Sequence, residues 1–340
     1  MSKVLVAGDF AWDMYEPAIC RGLRAEGAEV IELHAHRFFG PGSLLRRAQS
    51  KLVFGPGVAL ANAAFVAQCA LHKPDLVLAW RAPWLSPQTM LLARMAGAKK
   101  IALYCNDDPF GPDRDLPIWR AWREGIPAAD VVLAYRTQNL AELTAAGARA
   151  VKLFRSSYDA DVHRPLALTD ADRARFGCDV VFVGHCEDDS RLALMDALLL
   201  SGLSVRIFGT DWERHARGHA WDKLVPILPL RGDDYVRALC AAKAAVVFLS
   251  ARNRDTYTRR CFEIPACGTA MLAPRTEDLR TLFGEDEALF WSSADELVSQ
   301  ARRACSDDAL RARVAEAGRK RVLADGHDAR ARARELLALI

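Results

Sequence analysis

Two acidic residues eight positions apart stand in the most informative segment of the chain, residues 255–273, which reads DTYTRRCFEIPACGTAMLA. Asp255 precedes an apolar run and Glu263 lies inside it. In a helix, eight residues span about 12 Å at roughly 1.5 Å per residue. One acid before a helix and one within it, followed by Gly268 and a buried strand, can hold the two ends of a long ligand. The alternative is a buried helix with two incidental acids, which the spacing alone does not exclude.

These residues resemble a known family. The pattern R-x-F-E, here from Arg260 to Glu263, followed by small apolar residues and Gly268, is similar to the nucleotide-sugar site of GT-B glycosyltransferases, specifically the CgeB-like group. In the related family 4 enzymes the motif is Glu, seven residues, and a second Glu. The resemblance implies that Glu263 binds the ribose of the donor, and it favours the arginine of the helix after the glycine turn, Arg191, for the phosphate contact. The first position is Asp255, one methylene shorter than the family's Glu, and the resemblance places it at the donor sugar.

Two further segments carry the resemblance. Residues 179–212 are similar to the family's strand, glycine turn, arginine-bearing helix and second strand, and residues 313–337 resemble its closing helices. In the latter, His327 and Arg332 fit the pattern, whereas Asp328 and Ala329 replace the usual Thr-Tyr. The specific likeness runs from about residue 179 to the end of the chain. The first half resembles the family only loosely, through the acidic turn at residues 106–110.

A possible anion site follows the strand that ends at Val183. Gly184 forms the turn and Arg191 begins the next helix, so free backbone N–H groups and the helix dipole would favour a phosphate. Arg191 or Arg260 would add a charge-assisted contact to a diphosphate. The intervening acids, residues 187–189, oppose an anion, and the alternative is that they only cap the helix.

Polar residues also follow strands in the first half of the chain. Asp9 and Trp12 follow the first strand and are predicted to line the acceptor site, and Asp13 is a candidate base if the reaction inverts. The alternative is that Asp9 and Asp13 cap the first helix.

A second polar turn follows a later strand of the first half. Asn106, Asp107 and Asp108 precede Pro109 and are predicted to be acceptor-side residues. The alternative here is an Asx-turn before the proline.

Length and strand pattern predict the architecture. A chain of 340 residues exceeds the size of one ordinary core. Short apolar runs alternate with amphipathic ones in two series, which predicts parallel sheets with right-handed crossovers. The expected fold is α/β, with two doubly wound, Rossmann-like domains of the GT-B type facing across a cleft. The expected domains are residues 1–160 on the acceptor side and residues 161–340 on the donor side, with the last helix crossing back to the first domain.

Composition excludes several classes of protein. A net charge of +3 is too small to indicate nucleic-acid binding. The nine cysteines include no C-x-x-C pair and are typical of buried thiols in a reducing compartment. No signal peptide and no apolar stretch of bilayer length is evident, so a cytoplasmic location is expected. Phosphate-loop, dinucleotide-binding and serine hydrolase motifs are absent from the sequence.

Metal binding and membrane contact are the remaining candidates. The metal candidates are acid or histidine pairs without a third ligand at a suitable spacing: Asp159 with Asp161, His34 with His36, and His215 with His219. No metal and no cofactor are therefore expected. Residues 38–51 combine apolar and basic side chains and could touch a membrane surface or a lipid-linked acceptor; the alternative is a solvated loop leading into a helix.

The sequence thus predicts a metal-independent glycosyltransferase that moves a sugar from a nucleoside diphosphate to a glycan, lipid-linked or protein acceptor. The acidic motif favours retention of configuration, while Asp255 leaves inversion open. Replacing Glu263 is expected to weaken donor binding more than it harms folding. Two alternatives stand beside this prediction: a non-catalytic sugar-binding or assembly protein of the same fold, and a nucleotide-sugar epimerase.

Overall fold

The computed structural model describes residues 1–39 and 44–340, and only the backbone of residues 45–47. The chain forms two compact units. The first unit comprises Met1–Ser156, Arg252–Arg254 and Ala329–Ile340, and the second comprises Ser157–Ala251 and Asp255–Asp328. The first unit therefore ends a few residues before the expected boundary at 160, and it also contains the C-terminal segment.

The first unit is built on a six-stranded parallel sheet with the order β2-β1-β3-β4-β5-β6. Its central strands are apolar runs that are buried on both faces, as expected of a parallel sheet covered by helices. The strands are β1 Lys3–Gly8, β2 Glu29–His34, β3 Leu76–Trp80, β4 Ile101–Cys105, β5 Val131–Ala134 and β6 Val151–Leu153.

Proline begins several helices of the first unit, because its fixed φ and missing N–H suit the first helical turn. Pro56, Pro87 and Pro117 are the first residues of α4, α5 and α6, and the Ser86 hydroxyl caps α5 by accepting from the Thr89 N–H at 3.1 Å. The helices are α1 Glu16–Ala25, α2 His36–Phe39, α3 Leu44–Leu52, α4 Pro56–His72, α5 Pro87–Met95, α6 Pro117–Glu124 and α7 Asn139–Ala145.

The second unit contains a five-stranded parallel sheet with the order β11-β10-β9-β7-β8. Its strands are β7 Cys178–Val183, β8 Val205–Phe208, β9 Ala242–Val246, β10 Ala270–Pro274 and β11 Leu289–Trp291. Its helices are α8 Asp170–Phe176, α9 Arg191–Leu200, α10 Asp233–Ala241, α11 Arg260–Ala266, α12 Glu277–Leu282, α13 Ala294–Ser306 and α14 Asp308–Ala324. The predicted pair of doubly wound parallel sheets is thereby confirmed.

The last helix, α15 Ala329–Leu337, belongs to the first unit and packs on α1. A Cβ atom on Gly22 would stand 2.5 Å from the Ala329 carbonyl oxygen, so the close approach of the two helices requires glycine there. Arg334 adds an ion pair to Glu26 at 2.9 Å. Within the described part of the chain, no helix is both long and apolar enough to cross a bilayer.

Candidate functional site

The turn after β7 and the start of α11 meet at the carboxyl edge of the second sheet. A Cβ on Gly184 would stand 2.8 Å from the Phe182 ring and 3.4 Å from the guanidinium carbon of Arg260. Glycine is therefore required for this close approach, which brings the predicted donor-site residues Gly184 and Arg260 next to each other. In parallel sheets of this kind, ligands bind beyond the carboxyl ends of the strands.

Arg260 is a cation with no polar partner. Its guanidinium carbon lies 5.7 Å from the centre of the Phe182 ring. Its Nε is buried, and neither this atom nor the rest of the guanidinium has a hydrogen-bond or ion-pair partner among residues 1–39 and 44–340. The Glu263 carboxylate is close enough to interact electrostatically with Arg260, but it forms no direct ion pair with the guanidinium, whose hydrogen-bond donors are therefore available to a ligand. The arrangement is suited to an anionic ligand.

Arg191 differs from Arg260 because its side chain is buried and fully engaged. Its Nε and Nη2 donate to the two carboxylate oxygens of Asp189 at 2.8 and 2.9 Å, and Nη1 donates to the His185 carbonyl at 2.9 Å. Asp189 also accepts from the Arg191 backbone N–H. The acids of this turn thus neutralise Arg191, and the residue stabilises the turn. This corrects its predicted role as a free phosphate ligand.

Glu263 is fully buried within α11. Its carboxylate accepts a 2.6 Å hydrogen bond from the Tyr235 hydroxyl, pairs with Arg259 one helical turn earlier, and lies 3.5 Å from Nε2 of His163. Arg259 occupies the helix position at which opposite charges interact. The predicted ribose ligand therefore already has three protein partners in this structure.

The surroundings of Glu263 shift the pKa of its carboxyl group. Burial by itself raises the pKa of the carboxyl group, but Arg259, His163 and the Tyr235 hydrogen bond outweigh that effect and hold the pKa below its ordinary value. The carboxylate is thus charged, buried and paired. Removing one member of such a pair usually costs about 3–5 kcal/mol, so we now expect replacement of Glu263 to lower the stability of the fold as well as donor binding.

Gly268 ends α11 and is not close to the Gly184 turn. It has a φ of +76°, the left-handed conformation that favours glycine at helix ends. It lies at the amino end of β10, whereas Gly184 lies at the carboxyl end of the parallel strand β7. The two glycines are on opposite edges of one sheet, which corrects the prediction that both contact the donor.

Asp255 lies in the loop between β9 and α11. Its backbone N–H donates to the Ser250 carbonyl at 2.9 Å. The Ser250 hydroxyl in turn donates to Glu187 at 2.6 Å, which joins this loop to the Gly184 turn. Asp255 is half-buried and lies five residues before Arg260, in the loop that leads into α11.

The carboxyl edge of the first sheet brings together residues that follow three neighbouring strands. Asp9 follows β1, Arg81 follows β3, and Asn106 and Asp107 follow β4. Arg81 pairs with Asp107 at 2.7 Å, and Asn106 accepts from the Trp80 indole N–H at 3.2 Å. The predicted acceptor-side residues Asp9, Asn106 and Asp107 therefore share one edge. The sequence analysis missed Arg81, although its place directly after a strand was a readable signal.

The predicted acceptor-side residue Asp108 and the candidate base Asp13 are both held in contacts with other parts of the protein. Asp108 is buried: one carboxylate oxygen accepts from the Phe110 N–H at 3.0 Å, and the other pairs with Arg254. The first contact is the Asx-turn that stood as the alternative for Asp108, and the carboxylate is unavailable to an acceptor. Asp13 is exposed and pairs with Arg21 at 3.2 Å, which does not fit a base poised at a reaction centre.

Trp12 is 44% exposed, so its ring is accessible as an acceptor platform. Asp9 is exposed as well; its backbone N–H donates to the buried carboxylate of Glu16 and its carbonyl oxygen contacts Nδ1 of His36 at 2.6 Å. The side chain of Asp9 does not cap α1, whose N-terminus has no side-chain cap.

The candidate metal pairs have other partners. Asp159 accepts from the Asp161 backbone N–H at 3.0 Å, and His219 pairs with Asp196 at 2.7 Å. In residues 1–39 and 44–340, no group of three His, Cys, Asp or Glu side chains is arranged to hold a metal ion. Part of the apolar and basic segment at 38–51 lies outside the described residues, at 40–43.

The partners of Glu263 show what the sequence analysis missed. Arg259 could have been recognised, because it precedes Glu263 by one helical turn. Tyr235 on α10 and His163 in the connection before α8 are distant in sequence, and no local pattern identifies them. His327, which the resemblance singled out, stacks on Phe262 with ring centres 4.2 Å apart.

Comparisons with known proteins identify the class of the protein. Residues 191–338 match the family model described as glycosyl transferase-like. No curated protein sequence matches the chain. The fold is similar to sucrose-phosphate synthase from Thermosynechococcus elongatus, with a TM-score of 0.70, 16% identity, and coverage of 100% of this chain and 98% of that one.

Two other solved structures share the fold. One is HepE from Anabaena in complex with UDP-glucose, which is similar with a TM-score of 0.68 and 15% sequence identity. The alignment covers 100% of this chain and 99% of HepE. An Escherichia coli structure described as trehalose-6-phosphate bound with UDP-2-fluoro glucose has a TM-score of 0.65 at 12% identity, with 99% and 98% coverage. The chain has the GT-B fold, as the sequence predicted, and its residues 191–338 are similar to glycosyl transferases. Its assignment to the CgeB-like group stays a prediction.

Proposed function

We propose that the protein is a glycosyltransferase that uses a UDP-sugar as donor and binds it at the carboxyl edge of the second sheet. The observation that carries the proposal is the unpaired guanidinium of Arg260 beside the Gly184 turn. A diphosphate would supply the missing negative charge through charge-assisted hydrogen bonds. The structures of HepE with UDP-glucose and of the Escherichia coli protein with UDP-2-fluoro glucose, which share the fold, support uridine as the base.

Arg260 would act mainly on the leaving group. Negative charge develops on the diphosphate as the bond to the sugar breaks, and a pre-positioned cation in a water-poor site stabilises that charge without reorganisation. The adjoining sugar would become oxocarbenium-like, as in glycoside hydrolysis. Arg191, held by Asp189, would keep the turn in place and would not contact the phosphates.

Glu263 would accept hydrogen bonds from the ribose hydroxyls. Because Arg259 pairs with its carboxylate and the residue is fully buried, ribose binding requires the Arg259 side chain to turn away. Tyr235 would stay in place and hold the second carboxylate oxygen. Donor binding would thus exchange one partner of a buried carboxylate for another, which avoids leaving the charge unpaired.

Asp255 would reach the donor sugar, and the reaction would retain the anomeric configuration. The support is the resemblance of the motif together with the position of Asp255 in the loop that leads into α11. The anomeric configuration of the first-formed product, followed by NMR during turnover, tests this step. A product of inverted configuration would remove the retaining assignment.

On the acceptor side, we propose that Asp9, Trp12, Asn106 and Asp107 bind hydroxyl groups of a glycan, lipid-linked or protein acceptor. These residues have accessible or half-buried side chains after β1 and β4, which flank β3 in the sheet, and the ion pair with Arg81 orients Asp107. We also propose a cytoplasmic enzyme that works without a metal. Activity that disappears with a chelator and returns with magnesium or manganese would contradict the metal-independent mechanism.

The decisive experiment measures UDP binding to the Arg260→Gln variant. Loss of hydrogen bonds to a charged group costs about 1.5–3 kcal/mol, which weakens binding roughly 10- to 150-fold. Arg313→Gln is the matched control, because Arg313 is an exposed arginine on α14. Titration calorimetry should show weak binding for Arg260→Gln and unchanged binding for the control. Equal affinities in the two folded variants would show that the diphosphate binds elsewhere.

A further inference from the structure

The outward face of α4 consists only of apolar residues. The structure describes all 17 residues of this helix. The exposed positions recur with a spacing of three or four along the helix, so they form one continuous face. These positions are Pro56, Ala59, Leu60, Ala63, Ala67, Ala70 and Leu71. Surface helices normally carry charged or polar residues on this side, so the face is unusual for one that contacts only water.

Neighbouring segments extend the apolar surface. Leu52 at the end of α3 is 61% exposed and Phe54 before α4 is 80% exposed. On α5, which packs against α4, the exposed residues include Leu91, Leu92 and Met95. Eight of the eighteen exposed large apolar side chains in the described part of the chain fall within residues 44–95. A cluster of this kind indicates an interaction surface.

The same part of the sequence contains many more basic than acidic residues. Residues 33–106 contain nine Lys and Arg residues but a single acid, Asp75, whereas the whole chain has 46 basic and 43 acidic residues. Asp75 is itself paired with Lys99 at 2.7 Å. Two more of these cations have acidic partners outside the segment: Arg81 pairs with Asp107 and Arg94 with Asp130. Lys51 near the end of α3 and Lys73 directly after α4 are exposed, so the apolar face has exposed positive charge before and after it in the sequence.

Charge and apolarity together select the partner. Basic residues beside an apolar helix face match an anionic lipid surface, where the cations contact headgroups and the apolar side chains enter the interface. A second copy of the chain would bring two such cationic segments together, and like charges disfavour that contact. We infer that the outer faces of α4 and α5, with Leu52 and Phe54, dock on the surface of an anionic bilayer. We call this surface the docking face.

Docking on a bilayer does not depend on the donor site, since the docking face lies wholly in the first unit and Arg260 in the second. It would bring the chain to lipid-linked acceptors without a membrane-spanning helix. Because each basic residue near an anionic surface adds attraction that salt screens, docking should be strong at low salt and weaker at high salt.

The test is co-sedimentation of the full chain with vesicles of phosphatidylcholine alone or mixed with phosphatidylglycerol. The partition coefficient should be at least roughly tenfold higher for anionic vesicles and should fall at high salt. The variant Phe54→Glu/Leu60→Glu/Leu71→Glu should lose at least about tenfold in binding, because three apolar contacts become charges that the lipid repels. The matched control is Leu200→Glu, which changes a 77% exposed leucine of the second unit and should bind as the wild type does.

Several outcomes would overturn the inference. The inference is wrong if the wild-type chain does not bind anionic vesicles or binds neutral vesicles equally well. It is also wrong if the triple variant binds anionic vesicles as strongly as Leu200→Glu does. A dimer of the lipid-free protein that the triple variant dissociates, seen by analytical ultracentrifugation, would assign the face to self-association. UDP titration of the triple variant reports on folding and on the donor site separately: unchanged UDP binding with lost lipid binding is the expected result.

Discussion

The carboxyl edges of the two sheets differ in how their charges are balanced. At the first sheet, Asp107 pairs with Arg81, and Asp108 pairs with Arg254. At the second sheet, Arg191 is neutralised by Asp189, but Arg260 has neither a hydrogen-bond nor an ion-pair partner in the described residues. The same strand-end geometry thus holds paired charges in one unit and an open cation in the other.

This difference separates structural from ligand-binding charge. A paired, buried charge holds neighbouring loops in position, and its removal is costly mainly because the partner is left unpaired. A cation without a direct ion pair makes no such contribution to the free protein. Its replacement should therefore weaken ligand binding more than it lowers the free energy of unfolding. Variants at both kinds of position therefore test the distinction directly.

The largest effect on stability is expected for Glu263→Gln. The substitution leaves Arg259 without its partner beside a buried amide, which should lower the free energy of unfolding by about 3–5 kcal/mol at neutral pH. Urea denaturation measures this change. The matched control, Glu316→Gln, alters a 56% exposed carboxylate on α14 and should shift stability by less than about 0.5 kcal/mol. A wild-type stability for Glu263→Gln would show that the ion pair contributes little.

Arg191→Gln should lower the stability of the protein but leave its affinity for UDP nearly unchanged. The variant loses the bidentate contact to the buried Asp189 carboxylate and should be about 2–4 kcal/mol less stable. UDP affinity of the folded fraction should change by less than roughly threefold, a difference of about 0.6 kcal/mol, whereas Arg260→Gln should lose affinity with little change in stability. A large loss of UDP affinity in Arg191→Gln, measured below its unfolding temperature, would show that Arg191 contacts the diphosphate.

Glu187, in the turn next to Arg260, should make the stability of the protein depend on pH in acid. Burial opposes ionisation of Glu187, but contacts with His185, Arg191 and Ser250 lower its pKa from 4.5 to about 2. Because the folded pKa is depressed, the carboxylate stabilises the fold above the unfolded pKa, and this stability is lost as pH falls towards 2. The loss should be about 3 kcal/mol at roughly 1.4 kcal/mol per unit. Glu187→Gln should remove this part of the pH dependence; an unchanged acid limb would contradict it.

The smallest effect is expected at Glu16 in the first unit. Burial raises the pKa of this carboxyl group, although the N–H groups of Glu16, Asp9 and Phe10 partly offset the shift. Since the folded pKa is raised, ionisation at neutral pH costs stability, and that cost disappears as pH falls. Glu16→Gln keeps an acceptor for the Asp9 N–H and should stabilise the protein by up to about 1 kcal/mol at pH 7. A clear loss of stability in thermal melts would mean that the charge itself is needed.

Much of the fold was predictable because buried parallel strands are continuous apolar runs in the sequence. The two predicted series of apolar runs correspond to the strands of the two parallel sheets. Gly184 follows β7 and Arg260 begins the helix that connects β9 to β10, so the two residues belong to neighbouring parts of one parallel sheet. The sequence could not show which charges were already paired, since those partners come from other parts of the chain.

Two contacts illustrate that limit. Asp108 pairs with Arg254 across 146 positions, and Glu263 accepts from Tyr235 across 28. Neither pairing leaves a local pattern, because each depends on how separate loops and helices pack.

The sequence by itself determined the class of fold and the acidic motif at Glu263, because strand periodicity and motif spacing are local properties. Only the tertiary structure decided that Arg191, Asp108 and Glu263 are engaged while Arg260 is open. The physical reason is that the state of a charge depends on its neighbours in space and on its burial, and both arise only when distant segments pack together.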